Sequence, residues 1–502
     1  MRQSGAGENV PRHMGLVVCH TADWHLGRTL YGASLEHAHR RFLAWLCGQI
    51  VEHAVDVLVI AGDVFDRSVP PAGAEALFYG FLADLAHAAP GVQVIVVAGN
   101  HDGPARLSAP APLLERLGGG TLSVRLVGSV PLGPGGDADP CGLIVPLRTR
   151  GGERRGQIVT VPFLRPSDLS RVSGGDGSAA DRARALVGQA VEIAGRRGSG
   201  VLLGTAHGHV RGARLSPDSE RPLLGGEEAA MPPDVFARAL AYVALGHLHV
   251  PQALEGGRLR YAGSPLPLAF SERDIAHEIV VLREAAGGLV ADAVRVPAFL
   301  ELTRIEGEGG APLEVAEALA RLSAIGPGGG DLERWVQVRV RLPVPRAALK
   351  RELADALARG APAARLVSVE VERFGDAGSA PTSTSAYAEL APEAVLARVW
   401  SGAASGPVPE RLLHALREAW LEAREEHDAD LAELPELALP ELGVAELGVA
   451  ELGVAELGVA ELGVAELGVA ELGVAELGVA ELGVAELGVA ELGVAGPTEA
   501  AS

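Results

Sequence analysis

The sequence predicts an α/β layered domain, then a small α+β unit, a helical stretch and a low-complexity tail. Three observations carry this. From about residue 15 to 300, short apolar runs alternate with stretches of helical apolar spacing, the pattern of strands and helices packed in layers. Further on, "WVQVRVRL" (335–342) and "LVSVEVERF" (366–374) alternate like half-buried strands on either side of a helix-like "RAALKRELADALARG" (346–360). Finally, residues 441–495 are "ELGVA" repeated eleven times.

Residues 1–13 read as an unstructured extension. The strands expected in the first unit, 14–300, are "LVVCH" (16–20), "VDVLVIAG" (55–62), "VQVIVVAG" (92–99), "VLLGTAH" (201–207) and "YVALGH" (242–247). Between the first two, "LEHAHRRFLAWLCGQIVEHA" (35–54) has the spacing of a helix packed on a sheet. His37, His39, His53 and His87 lie in helical stretches and are expected at the surface. Segments 118–157 and 171–200 are rich in Gly, Pro and Ser and are expected to hold hairpins and loops.

The α+β unit occupies 301–378, and 379–430 contains "ELAPEAVLARVW" and "PERLLHALREAWLEAREE", amphipathic helices that either pack on their own body or dock on a partner. In the tail, 431–502, a five-residue period carries the apolar residues around every face of a helix and flips each Leu across a strand. With a Gly in each repeat, neither element is stabilised, and a disordered tail is expected rather than a pentapeptide solenoid.

The 502-residue chain carries a formal charge of −21, but eleven of those charges come from the repeated Glu. The moderately acidic remainder argues against a free-standing, nonspecific DNA binder, because such affinity comes from phosphate neutralisation. It leaves open an enzyme that meets DNA through bound cations or a partner. Cys19, Cys47 and Cys141 form no CxxC pair, which points to a reducing compartment and away from a thiolate zinc site. With no positive-then-apolar leader and no uncharged run of membrane-spanning length, a cytoplasmic protein with no membrane contact is expected.

The chemistry concentrates at five places with one layout, an apolar strand followed by ligand-type residues. They are Asp23-x-His25, Gly62-Asp63, Gly99-Asn100-His101-Asp102, His207, and Gly246-His247-x-His249. In α/β sheets the carboxyl ends of strands form the crevice where ligands bind, so five such ends converge if they share a sheet edge. The glycines before Asp63, Asn100 and His247 permit the sharp turns involved. Carboxylate, imidazole and amide oxygen together suit Mn²⁺, Fe²⁺ or Zn²⁺. Seven ligands exceed one ion's need, and two ions sharing a carboxylate form a phosphoester-hydrolysing arrangement. A lone His after a strand is usually not a ligand, and it is the ordered set that outweighs this reading. His209 is expected in a loop or behind the ligands.

The ordered set D-x-H, GD, GNHD, H, GHxH resembles that of the calcineurin-like metallophosphoesterases. More narrowly, "HTADWHLGRTLYG" (20–32), "IAGDVFDRSVPP" (60–71), "VPFLRP" (161–166), "YVALGHLHVPQ" (242–252) and "YAGSPLPLAFSE" (261–272) resemble the SbcD family of nuclease subunits. The resemblance is strong to about residue 275 and architectural from there to 426. It implies a metallophosphoesterase β-sandwich flanked by helices, with 301–378 as a capping domain.

It also implies two divalent ions, usually Mn²⁺. Asp23, His25, Asp63 and His249 would hold one, and Asp63, Asn100, His207 and His247 the other, with Asp63 bridging. His101 would be the catalytic histidine and Asp102 the residue that orients it. The implied activity is metal-dependent cleavage of DNA, 3′→5′ on duplex ends and endonucleolytic on hairpins or single strands, in repair, recombination and replication. The implied partners are an SbcC-type ATPase, bound by the 388–426 helices, and a second copy of this chain. Archaeal relatives carry His where this chain has Asp66, so no role transfers there, and the repeat tail has no counterpart. Two alternatives stay open: a phosphodiesterase for small substrates, and a non-catalytic scaffold for DNA ends.

Overall fold

In the computed structural model, the strand Val17–Thr21 is buried along its whole length, as a strand covered on both faces must be. The structure describes residues 15–117, 121–173, 177–215, 230–326, 332–342 and 346–373. The chain divides into units 1–374 and 375–502, and the expected helices at 379–430 and the tail at 431–502 lie outside the described residues.

Val17–Thr21 sits inside a six-stranded sheet ordered 288–295, 278–285, 17–21, 57–61, 92–97, 122–127. The strands Val17–Thr21, Val57–Ala61, Val92–Val97 and Leu122–Val127 run parallel, while Glu278–Ala285 pairs antiparallel with Val17–Thr21. A second six-stranded sheet is ordered 252–254, 259–261, 242–246, 201–207, 154–161, 144–148. There Leu259–Tyr261, Tyr242–Gly246, Val201–His207 and Arg154–Val161 are parallel.

Alternate residues of each strand serve different cores, which explains the unbroken apolar runs. Val18, Val57, Val59 and Ile95 meet Leu203, Tyr242 and Ala244 between the two sheets. Val17, Cys19, Leu58 and Ile60 face the other way, onto Phe42 and Leu46 of the helix Glu36–Glu52 and Phe78 and Leu82 of the helix Ala72–Ala88. Behind the second sheet, Val159, Val161 and Val243 pack with Leu186, Val187 and Ala190 of the helix Ala179–Arg196. The result is the helix–sheet–sheet–helix sandwich that the resemblance implies.

Two expectations are corrected. Segment 171–200 holds the 18-residue helix Ala179–Arg196 and not only loops; Ser178 caps it, and Ala183, Leu186, Val187, Ala190, Val191 and Ala194 line its buried face. His39 is buried and donates from Nε2 to the Trp24 carbonyl at 2.8 Å, because the inner face of its helix passes beneath the Asp23–His25 loop. His37 and His87 are exposed as expected, and His53 is half-buried. The 118–157 stretch does hold a hairpin, Ile144–Arg148 with Arg154–Val161.

A third sheet begins at Leu300. Leu300–Ile305, Leu313–Glu314 and Ala364–Arg373 all pair parallel with Glu333–Leu342. The helices Val315–Ala324 and Leu349–Gly360 cover one face, against Val336, Val338 and Val340. On the other face Trp335 joins the core around Phe42, and Gln337 donates to the Tyr31 hydroxyl at 2.8 Å.

Candidate metal centre

The parallel order of the strands dictates where the site lies. Val17–Thr21, Val57–Ala61 and Val92–Val97 in the first sheet end beside Val201–His207 and Tyr242–Gly246 in the second, and all five motifs follow those ends. The loops are laced together by their backbones. Asp23 donates its N–H to the Gly62 carbonyl and His25 to the Asp63 carbonyl, each at 3.0 Å. Asp23, His25, Asp63 and His247 have φ of 54°, 47°, 50° and 108°. Gly62, at φ 91°, lies where a Cβ would enter the His207 ring, and a Cβ on Gly99 would enter the Asp63 carboxylate.

The structure brings the seven expected ligands together. Asp63 Oδ2 lies 3.5 Å from His25 Nε2 and 3.4 Å from His207 Nε2, so one carboxylate stands between imidazoles from two sheets. On one side of it, ligand atoms of Asp23, His25 and His249 fall within 4.8 Å of one another, and Asp23 also lies within that range of Asp63 and His207. On the other side, Asn100 Oδ1 lies 3.0 Å from His207 Nε2 and 2.9 Å from His247 Nδ1. Asp23, His25, Asp63, His207, His247 and His249 are buried, whereas Asn100 and His101 are half-buried and form the open side.

The electrostatics suit a cation. Burial lifts the Asp23 carboxyl to about 7, and the neighbouring Asp63 charge adds to this. Burial also works against ionising Asp63, but His207 and His101 outweigh it and hold that carboxyl well below its ordinary range. Burial pulls His25 down to about 4, and burial together with His207 pulls His247 down to about 3. Neutral His25 and His247 and an ionised Asp63 are forms that bind metal, whereas, against burial, Asp63 and Asp23 lift His207 to about 9, a proton that a bound cation would displace. Asp23 Oδ2 and His25 Nε2 are buried with no hydrogen-bond partner, a costly state for polar atoms unless a ligand meets them. The donor set, oxygen and imidazole without thiolate, fits a divalent transition metal.

Residues 16–251, which contain all of these side chains, match the calcineurin-like phosphoesterase family. The SbcD component of the nuclease SbcCD from Rhodobacter capsulatus is 42% identical over 314 residues, covering 61% of this chain and 76% of that protein. The chain belongs to the SbcD family. The SbcD proteins of Escherichia coli K12 and Bacillus subtilis are each 30% identical, over 339 and 335 residues, and 76% and 79% of their lengths are covered. SbcD proteins are nuclease components with a metallophosphoesterase domain, and the clustered carboxylates and imidazoles provide this chain with a divalent-metal site.

His101 and Asp102 lie at this site but do not pair as expected. The His101 ring donates from Nδ1 to the Asp66 carbonyl at 2.8 Å, and its backbone N–H donates to Asp63 Oδ1 at 2.8 Å. Nδ1 is thereby committed, leaving Nε2 as the nitrogen available for proton transfer. Asp102 instead accepts the backbone N–H groups of Gly99, Phe65 and Val64 at 2.8, 2.9 and 3.2 Å. Its carboxylate clamps the Asp63 loop to the Asn100 loop, because the tight Gly99 turn aims it at amides and away from the imidazole. His209 is buried next to these ligands' loops.

Two side chains at the site were not anticipated. Asp66 Oδ1 lies 3.3 Å from His25 Nδ1 and 3.0 Å from Arg28 Nη1, so Asp66 reaches His25 with its side chain and His101 with its backbone. Glu272, fully buried, lies 2.8 Å from His249 Nδ1. "GDVFD" contained a signal for the first, three residues after Asp63; the second closes the "YAGSPLPLAFSE" segment, where nothing marks a contact with His249.

Proposed function

We propose that this chain is the DNA-cleaving component of a complex with an SbcC-type ATPase. In this reading it hydrolyses phosphodiesters with a pair of Mn²⁺ ions, 3′→5′ from duplex ends and endonucleolytically at hairpins or single strands. It acts in the cytoplasm as a homodimer, in repair, recombination and replication. The observation that supports it most is the Asp63 carboxylate shared between two ligand groups, Asp23–His25–His249 and Asn100–His207–His247. Such a pair of cations, when bound, supplies an activated water and neutralises charge on the phosphoryl oxygens.

The chain's own residues would do the rest. Asp63, held ionised by its histidines, would link the two ligand groups. His101, with Nδ1 fixed on the Asp66 carbonyl, would present Nε2 to the departing 3′ oxygen as a proton donor. Asp102 would keep the Asp63 and Asn100 loops in register. The 301–378 unit would cap the site and position DNA, and 379–430 would meet the ATPase.

The test is cleavage of end-labelled hairpin and linear duplex DNA in Mn²⁺, with and without chelator. Wild type is expected to cut both, and Asp63→Ala neither. His101→Ala is expected to bind Mn²⁺ as wild type does while losing about 10²- to 10⁴-fold in turnover. Turnover of bis(p-nitrophenyl) phosphate with no cutting of either DNA, even with the ATPase present, would overturn the DNA assignment.

A further inference from the structure

Glu272 is a carboxylate with no exposed surface, on the short turn Phe270–Glu272. Its Oε2 accepts the Leu268 N–H at 2.7 Å, and its Oε1 lies 2.8 Å from His249 Nδ1.

Another imidazole of the site, His207, shows what this contact does. His207 donates from Nδ1 to the Ala61 carbonyl at 2.8 Å, which leaves its Nε2 facing Asp63 and Asn100. His249 has the same arrangement with a full carboxylate in place of a carbonyl. A carboxylate behind a ligand imidazole fixes the tautomer, fixes the ring and makes the outer nitrogen a stronger donor to metal.

We propose that Glu272 is the positioning residue for His249: it holds the ring as the Nδ1–H tautomer, so that Nε2 binds the ion shared with Asp23 and His25. This rests on the reading of the site as a two-ion centre. It assigns work to the end of the "GSPLPLAFSE" segment, 23 residues beyond His249 in the chain. The assignment is specific to one ion, because Asn100, His207 and His247 make no contact with Glu272 among the described hydrogen bonds.

The test is Mn²⁺ titration of the full-length protein followed by EPR, for wild type, Glu272→Gln, Glu272→Asp and Asp63→Ala. Wild type should bind two ions with a spin-coupled signal. Glu272→Gln should keep one ion at wild-type affinity and bind the other about 10- to 100-fold more weakly, converting the coupled signal to that of isolated Mn²⁺. Glu272→Asp, which keeps the charge but is shorter, should fall between the two. Thermal unfolding of the metal-free proteins separates this from mere loss of structure.

Equal weakening of both ions in Glu272→Gln, or two ions bound as in wild type, would overturn the proposal. A wild type that binds a single ion or none would instead overturn the two-ion reading beneath it. If Glu272→Gln does not fold, imidazole ¹⁵N shifts of the metal-free wild type decide. With His249 assigned by its loss in His249→Gln, a proton on Nδ1 supports the proposal and a proton on Nε2 sinks it.

Discussion

Asp102 lies at the site, yet its described carboxylate hydrogen bonds go to backbone amides and none reaches His101. Its two oxygens accept three backbone N–H groups, from Gly99, Phe65 and Val64. Removing the carboxylate leaves those buried donors unmet, at about 1–3 kcal/mol each. Asp102→Ala is therefore expected to lower the urea midpoint of the metal-free protein markedly, and its Mn²⁺ affinity with it. Unchanged stability with a selective loss of turnover would return Asp102 to the role of orienting His101. All seven proposed ligands were legible because each ends or closely follows an apolar strand. Asp66 sits three residues after Asp63 and Glu272 closes the "YAGSPLPLAFSE" segment, but their contacts were not legible, because these depend on loops folding back over tens of residues.

The strands show why apolar runs are reliable guides in a sandwich. Val57–Ala61 and Val92–Val97 feed two cores from alternate residues, so they contain almost no polar positions and stand out as blocks. The helix Ala179–Arg196 was hidden by its setting. Gly and Ser at 173–178 and 198–200 flank it, while its own signals are a capping box and an i, i+3, i+4 series of small apolar residues. The Ser178 hydroxyl accepts the Asp181 N–H, and Asp181 reaches back to the Ser178 N–H at 3.1 Å. Ser178→Ala is expected to destabilise the protein by about 1 kcal/mol in urea unfolding and to leave cleavage unchanged, since the helix lies behind the second sheet. A loss of cleavage would mean the helix sets the position of His207 or His247.

Among the described residues, burial pushes three histidines outside the expected ligand set toward the neutral form, His277 and, further, His20 and His39. His20 bridges the sheets, with Nδ1 at 2.9 Å from the Tyr242 hydroxyl and Nε2 at 3.1 Å from the Leu245 carbonyl, and burial pulls it down to about 3. Burial likewise pulls His39 down to about 4. Both groups take up a proton in the unfolded chain near 6.5, the ordinary value, and in the folded chain only far lower. The unfolded state thus binds more protons between those values. The stabilisation is complete above about 6.5 and is lost as pH falls toward 4 for His39 and 3 for His20. Stability of the metal-free protein should fall on acidification from pH 7, and less steeply in His39→Gln between pH 6.5 and 4. Equal slopes would show that His39 protonates without unfolding. No helix among the described residues is long and apolar enough to cross a membrane.

Asp23, His25, Asp63 and His247 all have φ between 47° and 108°, a region that costs residues with a Cβ about 1–3 kcal/mol each. The backbone beneath the site is thus under tension, and glycine would relieve it at the expense of a ligand. Metal-free Asp63→Gly should outlast metal-free Asp63→Ala on heating, by about 1 kcal/mol at the midpoint. For the intact chain, stripping its cations leaves that tension uncompensated. Protease digestion should therefore run faster in chelator than in Mn²⁺, making the chain's lifetime a gauge of the metal supply around it.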